Sequence, residues 1–200
     1  DYKKSILLNA FVEYVRSVLS MVEQDFSYES VFRFLRTGFT EFTRDEIDRL
    51  ENYVVAVGLR GYKKWQAVWA RKTNRTDEEE LAVLNGLRVR FVEMTESLVF
   101  VLKQRKKTVR DICEAVYRFF VENQIQEKLK VMENCFAEKK ELALAKEYAQ
   151  IYRIVLELFD KFAELLGDEG ISLKEYCELL DAGLEEAKVG VIPPGMDQVV

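Results

Sequence analysis

Proline is absent from the first 192 residues of this 200-residue chain, and its only two prolines, Pro193 and Pro194, stand side by side near the C-terminus. Because proline is the strongest helix breaker, so long a proline-free stretch lets helices form along most of the chain. The stretch is also rich in Glu, Lys, Leu and Ala, which favour helices. The sequence therefore predicts an all-α fold, a multi-helix bundle with a short extended segment at its C-terminus.

The composition limits the class of protein. Hydrophobic residues make up 48% of the chain and charged residues 32%, which is ordinary for a globular protein. No apolar run reaches the roughly 18 residues that a membrane-spanning helix needs. The chain begins Asp1-Tyr-Lys-Lys, with neither an initiator Met nor the pattern of a signal peptide. We therefore expect a cytoplasmic location.

The residue types exclude several kinds of catalysis. The chain has no histidine, which excludes Ser-His-Asp and Cys-His mechanisms. Cys113, Cys135 and Cys177 form no CxxC pair, so we interpret them as buried free thiols rather than metal ligands. Asp77–Glu80 are consecutive and point in different directions on a helix, so they indicate a helix start rather than a metal site. With no glycine-rich phosphate loop either, we expect no bound metal and no ATP site.

Apolar residues recur at three- and four-residue spacing along most of the chain, which predicts a succession of amphipathic helices. Capping-box sequences at Thr43, Thr76 and Ser172, and a cap residue at Thr108, indicate helix starts. The predicted helices cover 4–24, 27–36, 43–58, 76–103, a stretch after 108, 124–138, 139–166 and 172–187. Residues 59–75 interrupt the pattern and are predicted to form a loop, or a short helix within a loop.

The C-terminal segment has a different character. From Val189 onwards the sequence predicts short extended pieces around the proline pair, and Val199-Val200 resembles the start of a buried strand. A strand without neighbours is not stable by itself. We therefore expect that the chain was cut from a larger protein and that pairing partners of this segment are absent.

Positive charge is concentrated in two places, although the net charge of the chain is −5. No acid interrupts the cations between residues 60 and 75, and Tyr62, Trp65 and Trp69 are interleaved with them. A second basic block covers residues 103–110. A globally acidic protein that clusters its cations in this way can present one face to a polyanion while the rest repels it.

The basic and aromatic residues allow two interpretations. In the first, cations follow the phosphates of single-stranded nucleic acid and rings stack on bases, at roughly 1–3 kcal/mol per base. In the second, Trp65 and Trp69 share a buried face and the cations form a solvated rim, while block 103–110 is a plain connector between helices. The candidate DNA-binding residues are Arg60, Lys63, Lys64, Trp65, Arg71 and Lys72. Arg33 and Arg36 are weaker candidates, because nearby carboxylates offer them ion-pair partners.

The most distinctive segments of the chain are FSYESVFRFLRTG at 26–38, Glu46–Tyr53, Gly58–Gly61 with Trp65, Gly167–Leu173 and Ile192–Val199. Together these segments resemble one family, the B subunit of AddAB-type ATP-dependent helicase–nucleases. The resemblance covers most of the chain, and residues 110–150 match only in helical character. It implies a complex that resects double-strand breaks for recombinational repair. In that complex the A subunit carries the helicase motor and a nuclease, and the B subunit adds a nuclease, holds DNA and recognises the Chi sequence.

The resemblance also implies a place for this chain within the parent protein. Residues 1–42 would flank the helical insertion of a superfamily 1 helicase-like domain 2, residues 43–187 would be that 2B-like insertion, and residues 188–200 would return to the motor-like core. ATP, magnesium and an iron–sulfur cluster are implied only for the parent complex, and the three cysteines here do not match those of the cluster. No active site is expected in this segment, although the parent resembles an ATP-dependent deoxyribonuclease and helicase.

The expected role is therefore non-catalytic. The partners implied are single-stranded or forked DNA and the A subunit of the heterodimer, and the expected work is DNA guidance and subunit docking. The alternative is a helical protein-interaction scaffold without direct DNA contact, since Trp, Tyr and Arg also dominate protein interfaces.

Overall fold

The computed structural model describes residues 3–190 and is mostly helical, which confirms the main prediction from the sequence. The resemblance of this fold to the helical insertion of a helicase stays a prediction. The domain boundaries at residues 42 and 187 also stay predictions. The described residues form nine helices and two short strands, in the order β1 (Lys3–Ser5), α1 (Ala10–Glu23), α2 (Tyr28–Leu35), α3 (Arg44–Val57), α4 (Tyr62–Gln66), α5 (Glu78–Leu102), α6 (Val109–Glu122), α7 (Ile125–Glu138), α8 (Leu142–Leu166), α9 (Leu173–Glu186) and β2 (Lys188–Gly190).

Four helices begin directly after a capping residue that is recognisable in the sequence. Ser27, Thr43, Thr108 and Ser172 are the N-cap residues of α2, α3, α6 and α9, and each accepts a hydrogen bond from a backbone N–H of the first turn. The capping boxes predicted at Thr43 and Ser172 are complete. These signals depend only on residues up to three positions apart, which is why the sequence alone locates them.

The capping box predicted at Thr76 is wrong. Asp77 caps α5 instead, and its Oδ1 accepts the backbone N–H of Glu80 at 2.8 Å. The hydroxyl of Thr76 is engaged elsewhere, 2.7 Å from the hydroxyl of Thr73. The turn that joins these two threonines therefore displaces the start of the helix by one residue.

The first predicted helix begins later than expected. Residues 3–5 form a strand rather than helix, and α1 starts after Asn9, whose Oδ1 accepts the backbone N–H of Phe11 at 2.8 Å. The strand pairs antiparallel with β2, with Lys4 opposite Val189. Pairing between distant parts of the chain therefore overrides the local helical pattern. The predicted extended segment is confirmed at 188–190, and its remainder, residues 191–200, lies outside the described residues.

The core is built around α1, which packs against α2, α8 and α9. Phe11 of α1 meets Phe120 of α6 edge-on at 5.1 Å between ring centroids, and Tyr14 stacks on Phe119 at 5.8 Å. Helix α6 lies between α5 and α8, and α7 and α8 form a helical hairpin. The large apolar side chains of all these helices belong to one continuous core.

The three cysteines are free, but they are not all buried. Cys113 is buried beside Tyr176, with 3.2 Å between sulfur and hydroxyl oxygen. Burial raises the pKa of the Cys177 thiol to about 12, so it stays protonated at neutral pH. Cys135 on α7 is exposed, which corrects the expectation of three buried thiols. The helix containing Cys135 packs mainly against α8 and leaves its other face to solvent.

The capping box of α3 gives its stability a defined pH dependence. The Glu46 carboxylate accepts the backbone N–H of Thr43 at 2.9 Å and pairs with the Arg90 guanidinium at 2.7 Å. The Thr43 hydrogen bond holds the pKa of Glu46 below its ordinary value, burial opposes this, and Arg90 lowers it further. Because the folded-state pKa is depressed, the stability from ionised Glu46 is present above the unfolded-state pKa and is lost as the pH falls.

We predict that Glu46→Gln lowers the free energy of unfolding at neutral pH by less than about 1 kcal/mol. Glutamine keeps the capping hydrogen bond but loses the charge. The difference from the unsubstituted chain should shrink as the pH falls from neutral toward about 3, because protonation removes the charge of the glutamate. Urea denaturation at both pH values measures this. An equal difference at both would show that the charge of Glu46 contributes nothing.

Candidate nucleic-acid interface

The basic segment, defined as residues 60–75, runs back along α5. At one end Tyr62 lies beside Lys103, whose Nζ is 4.6 Å from the centroid of the tyrosine ring. At the other end the backbone of Trp69 is hydrogen-bonded to Asn85. A helix rises about 1.5 Å per residue, so the backbones of Asn85 and Lys103 lie about 27 Å apart along α5. The helix therefore serves as a rigid support under most of the basic segment.

The aromatic residues of the basic segment point into the protein. Trp65 is only 1% exposed, and its ring lies 4.7 Å from Phe91 and 5.1 Å from Trp69 between centroids. Trp69 in turn stacks on Tyr53 of α3 at 5.0 Å. The two tryptophans thus share a buried cluster, as the second interpretation of the sequence proposed. Trp65 is not accessible to a nucleobase, and we correct its assignment from a stacking residue to a core residue.

Buried polar groups fasten the backbone of the basic segment to α5. The guanidinium of Arg88, a residue only 5% exposed, donates to the carbonyl oxygens of Trp65 at 2.8 Å and Gln66 at 3.2 Å. The Asn85 amide bonds both the N–H and the carbonyl of Trp69, each at 2.9 Å. Burial lowers the pKa of Arg88. These bonds satisfy backbone groups at the end of α4 and at Trp69 that would otherwise be costly to bury.

Sequence reasoning missed Arg88 and Asn85 as supports of the basic segment. The signal that could have found Arg88 is its position between Leu84 and Phe91, on the apolar stripe of α5. A charged residue on a buried stripe requires partners inside the protein. The pattern does not say which backbone groups those partners are, because they come from another part of the chain.

A turn after α1 joins the two basic blocks. Asp25 and Phe26 adopt left-handed conformations, with φ of 48° and 55°. The Asp25 carboxylate accepts the backbone N–H of Tyr62 at 3.2 Å and lies 3.3 Å from the Nζ of Lys103. One carboxylate therefore holds the start of α4 beside the first residue of the block 103–110.

The cations of the basic segment all lie on the surface: Arg60, Lys63, Lys64, Arg71, Lys72 and Arg75. Lys72 is paired with Glu78 at 2.7 Å, and Arg71 donates to the carbonyl of Val57 at 3.4 Å. Within residues 3–190, no carboxylate lies within ion-pair distance of Arg60, Lys63 or Lys64. These side chains can therefore meet an external anion without first breaking an internal pair.

The second basic block is partly structural. Lys107 donates to the carbonyl of Gln104 at 2.7 Å, and Arg110 lies 3.6 Å from Asp168. The backbone of the block also bridges Thr108 to Gly170 before α9. Residues 103–108 connect α5 to α6, and the cations at 105 and 106 are exposed.

The weaker candidates Arg33 and Arg36 are held in ion pairs. Arg33 bonds the carboxylate of Glu13, with 3.1 Å between Nη2 and Oε2. Arg36 pairs with Asp48 at 2.9 Å and with Glu51. These pairs link α2 to α1 and α3, so the two arginines contribute to packing between helices.

The acidic and cysteine side chains of residues 3–190 do not converge on one point. Among the described residues, no group of three or more His, Cys, Asp or Glu side chains is placed to hold a metal ion. In that part of the chain there is also no helix with the length and apolar character that crossing a membrane requires.

Comparison with known proteins identifies the family. No protein-family model matches the chain. A protein of Lachnoclostridium phytofermentans, named as the B subunit of an ATP-dependent helicase/deoxyribonuclease, is 43% identical over 203 residues. Proteins of the same name from Clostridium novyi and Caldanaerobacter subterraneus are each 36% identical, over 200 and 212 residues. The chain is homologous to a segment of this B-subunit family. All of the chain is matched in each case.

The matched segment is a small part of each of these helicase/deoxyribonuclease proteins. The chain spans 18%, 17% and 18% of the lengths of the three relatives. The family resemblance inferred from the sequence motifs is thus confirmed. The names describe whole subunits. The activities that they imply are therefore only proposed for this chain.

We predict that Trp65→Ala destabilises the fold, because it empties a packed site between Phe91 and Trp69. The free energy of unfolding should fall by about 3–5 kcal/mol, measured by urea denaturation. Lys64→Ala is the matched control, since it removes a neighbouring exposed side chain and should leave the free energy of unfolding nearly unchanged. Equal effects of the two substitutions would contradict the buried position of Trp65.

Proposed function

We propose that this segment guides DNA, without catalysing a reaction, within the B subunit of an ATP-dependent helicase/deoxyribonuclease that processes double-strand breaks for recombinational repair. The observation that carries this proposal is the exposed position of Arg60, Lys63 and Lys64 on a backbone fastened to α5. Cations held in this way attract phosphates and lose little conformational freedom of the backbone when they bind them.

The distribution of charge favours an encounter in which the basic segment faces the DNA. The chain carries a net charge of −5, while the basic segment contains no acid. The acidic remainder repels a polyanion and the basic segment attracts it, which orients the encounter. The contact of Lys103 with Asp25 places the end of α5, and the exposed cations at 105 and 106 that follow it, beside α4. A strand bound along this surface would meet phosphate-binding groups over much of the length of the helix.

The burial of Trp65 changes the expected mode of binding. With this ring in the core, the proposed contacts of the basic segment are ionic contacts to phosphates rather than stacking on bases. Phosphate contacts carry no sequence information by themselves. We infer that guidance by the cations of this segment is independent of DNA sequence.

The catalytic steps implied by the family name are assigned to other parts of the complex. An iron–sulfur cluster does not fit the cysteines here, since Cys113 is buried against Tyr176 while Cys135 lies on the exposed face of α7. The described acids also do not converge on a metal site. We therefore assign no ATP-driven or nuclease step to this segment.

A second surface supports the other part of the proposed role, which is docking to a partner subunit. A groove of about 780 Å³ lies between α5 and α6, and Phe100, which is 69% exposed, lines it. Val121 on the outer face of α6 is 56% exposed. Exposed aromatic and aliphatic side chains beside a groove are typical of protein interfaces. We propose that the A subunit of the heterodimer covers this surface.

We predict a salt-dependent affinity for single-stranded DNA that requires the unpaired cations. The combined variant Arg60→Gln, Lys63→Gln, Lys64→Gln should bind a labelled thymidine oligonucleotide of about 16 nucleotides more weakly. Its plot of log affinity against log salt should be shallower by about 2, because each single-strand phosphate contact contributes about 0.7. Fluorescence anisotropy between about 50 and 200 mM salt measures both quantities.

The matched control removes the same charge elsewhere. Lys139→Gln, Lys161→Gln, Lys174→Gln replaces three exposed lysines outside both basic blocks and should leave the salt slope unchanged. An equal loss in both combined variants would mean that only net charge matters. An absence of salt-dependent binding in the unsubstituted chain would favour the scaffold without DNA contact.

We predict that Phe100→Asp weakens association with the A subunit and leaves oligonucleotide binding intact. The substitution replaces an exposed aromatic ring by a charge, which costs free energy if a partner buries it. Val131→Asp on α7 is the control, since Val131 is also exposed, at 62%, but lies away from the groove. Titration of the A subunit, followed by light scattering, would show no difference between the variants if the docking surface lies elsewhere.

A further inference from the structure

A polar cavity of about 430 Å³ opens at the end of the basic segment. Its volume lies within the range of about 300–1,000 Å³ that is typical of ligand sites. Three elements enclose it: α3, the turn at residues 73–76, and the first two turns of α5. The lining side chains that matter here are Arg49, Asn52, Tyr53, Asn74, Arg75 and Glu80.

The walls of the cavity are fixed by the local fold. Arg49, Asn52 and Tyr53 lie at three- and four-residue spacing, so they form one face of α3. Opposite this face, the turn is closed by a hydrogen bond from the Thr76 N–H to the Thr73 carbonyl at 3.1 Å and by their paired hydroxyls. The cavity therefore does not depend on a long unsupported loop.

The cavity is tied to the basic segment by direct contacts. The Tyr53 hydroxyl donates to the carbonyl of Arg71 at 2.8 Å. The guanidinium of Arg49 forms a two-point pair with Glu80, at 3.0 Å and 2.5 Å, which fixes that side of the cavity. A strand that follows the cations from residue 60 toward residue 72 thus reaches the mouth of the cavity.

The unused polar groups at the mouth are suited to a nucleotide. Asn52, Asn74 and Arg75 are exposed, and within residues 3–190 neither asparagine amide is hydrogen-bonded and Arg75 has no carboxylate partner. An asparagine amide both donates and accepts, as the edge of a nucleobase does. A guanidinium is the side chain that best matches the geometry of a phosphate.

We propose that this cavity receives one nucleotide unit of single-stranded DNA, with Asn52 and Asn74 on the edge of the base and Arg75 on its phosphate. The proposal rests on the function proposed above and adds a base-binding position to it. The lining favours a nucleotide over an apolar protein side chain. It contains guanidinium, amide and hydroxyl groups, its carboxylate Glu80 is paired with Arg49, and Ala56 and Leu84 are its only aliphatic contributors among the described lining residues.

The test compares two oligonucleotides that differ only in their bases. One is a thymidine oligonucleotide of about 16 nucleotides and the other is an abasic strand of the same length. The double variant Asn52→Ala, Asn74→Ala should bind the thymidine strand about three- to tenfold more weakly, the effect of losing about one hydrogen bond. Its affinity for the abasic strand should not change.

Three controls separate the cavity from the surface around it. Asn134→Ala removes an exposed asparagine of α7 and should change neither affinity. Lys63→Ala, in the basic segment but outside the cavity, should weaken binding of both strands equally. Arg75→Gln should also weaken both, since both contain phosphates. Thermal unfolding of each variant checks that the fold is retained.

The outcomes distinguish this proposal from the general one. Equal affinity of the unsubstituted chain for the two strands, or an equal loss for both in the double asparagine variant, would overturn the nucleotide cavity. If Lys63→Ala still weakened binding, DNA guidance by the basic segment would stand. If the chain bound neither strand, both proposals would fall.

Discussion

The burial of α1 on nearly all of its sides is the constraint on which the remaining structure depends. Its aromatic and aliphatic residues meet α2, α8 and α9, and its first turn is anchored where the Asn9 amide donates to the buried Glu147 carboxylate of α8 at 2.9 Å. Helices of the second half of the chain must therefore fold back onto the first helix. The turn at Asp25 follows this buried helix directly. Its contact with the start of α4 positions the basic segment.

In the basic segment, one set of side chains stabilises the fold and a different set provides the surface charge. Its aromatic rings and the buried Arg88 hold it to α5, while its cations have few internal partners. Removing an exposed cation leaves the core intact, whereas removing Trp65 opens the core. This separation suits a guiding surface, because phosphate contacts require charge at fixed positions and do not require the charged groups themselves to be buried.

Local features of the sequence predicted most helices correctly. The caps at Thr43 and Ser172 and the long apolar stripes of α5 and α8 involve residues within a few positions of one another, so they are visible without a structure. The strand at Lys3–Ser5 was missed because its partner lies at 188–190. The sequence also located the cations of the candidate site. It could not assign Trp65 to the core, and it could not detect the cavity between α3 and the turn at 73–76.

The sequence by itself determined the helical class, the positions of most helix ends and the concentration of positive charge in residues 60–75. Only the tertiary structure decided which of those side chains face solvent, that Asp25 joins the two basic blocks, and that Arg88 lies inside. The physical reason is the range of the interactions. Helix capping and periodicity act within about one turn of helix, whereas burial and ion pairing join residues that are far apart in the chain.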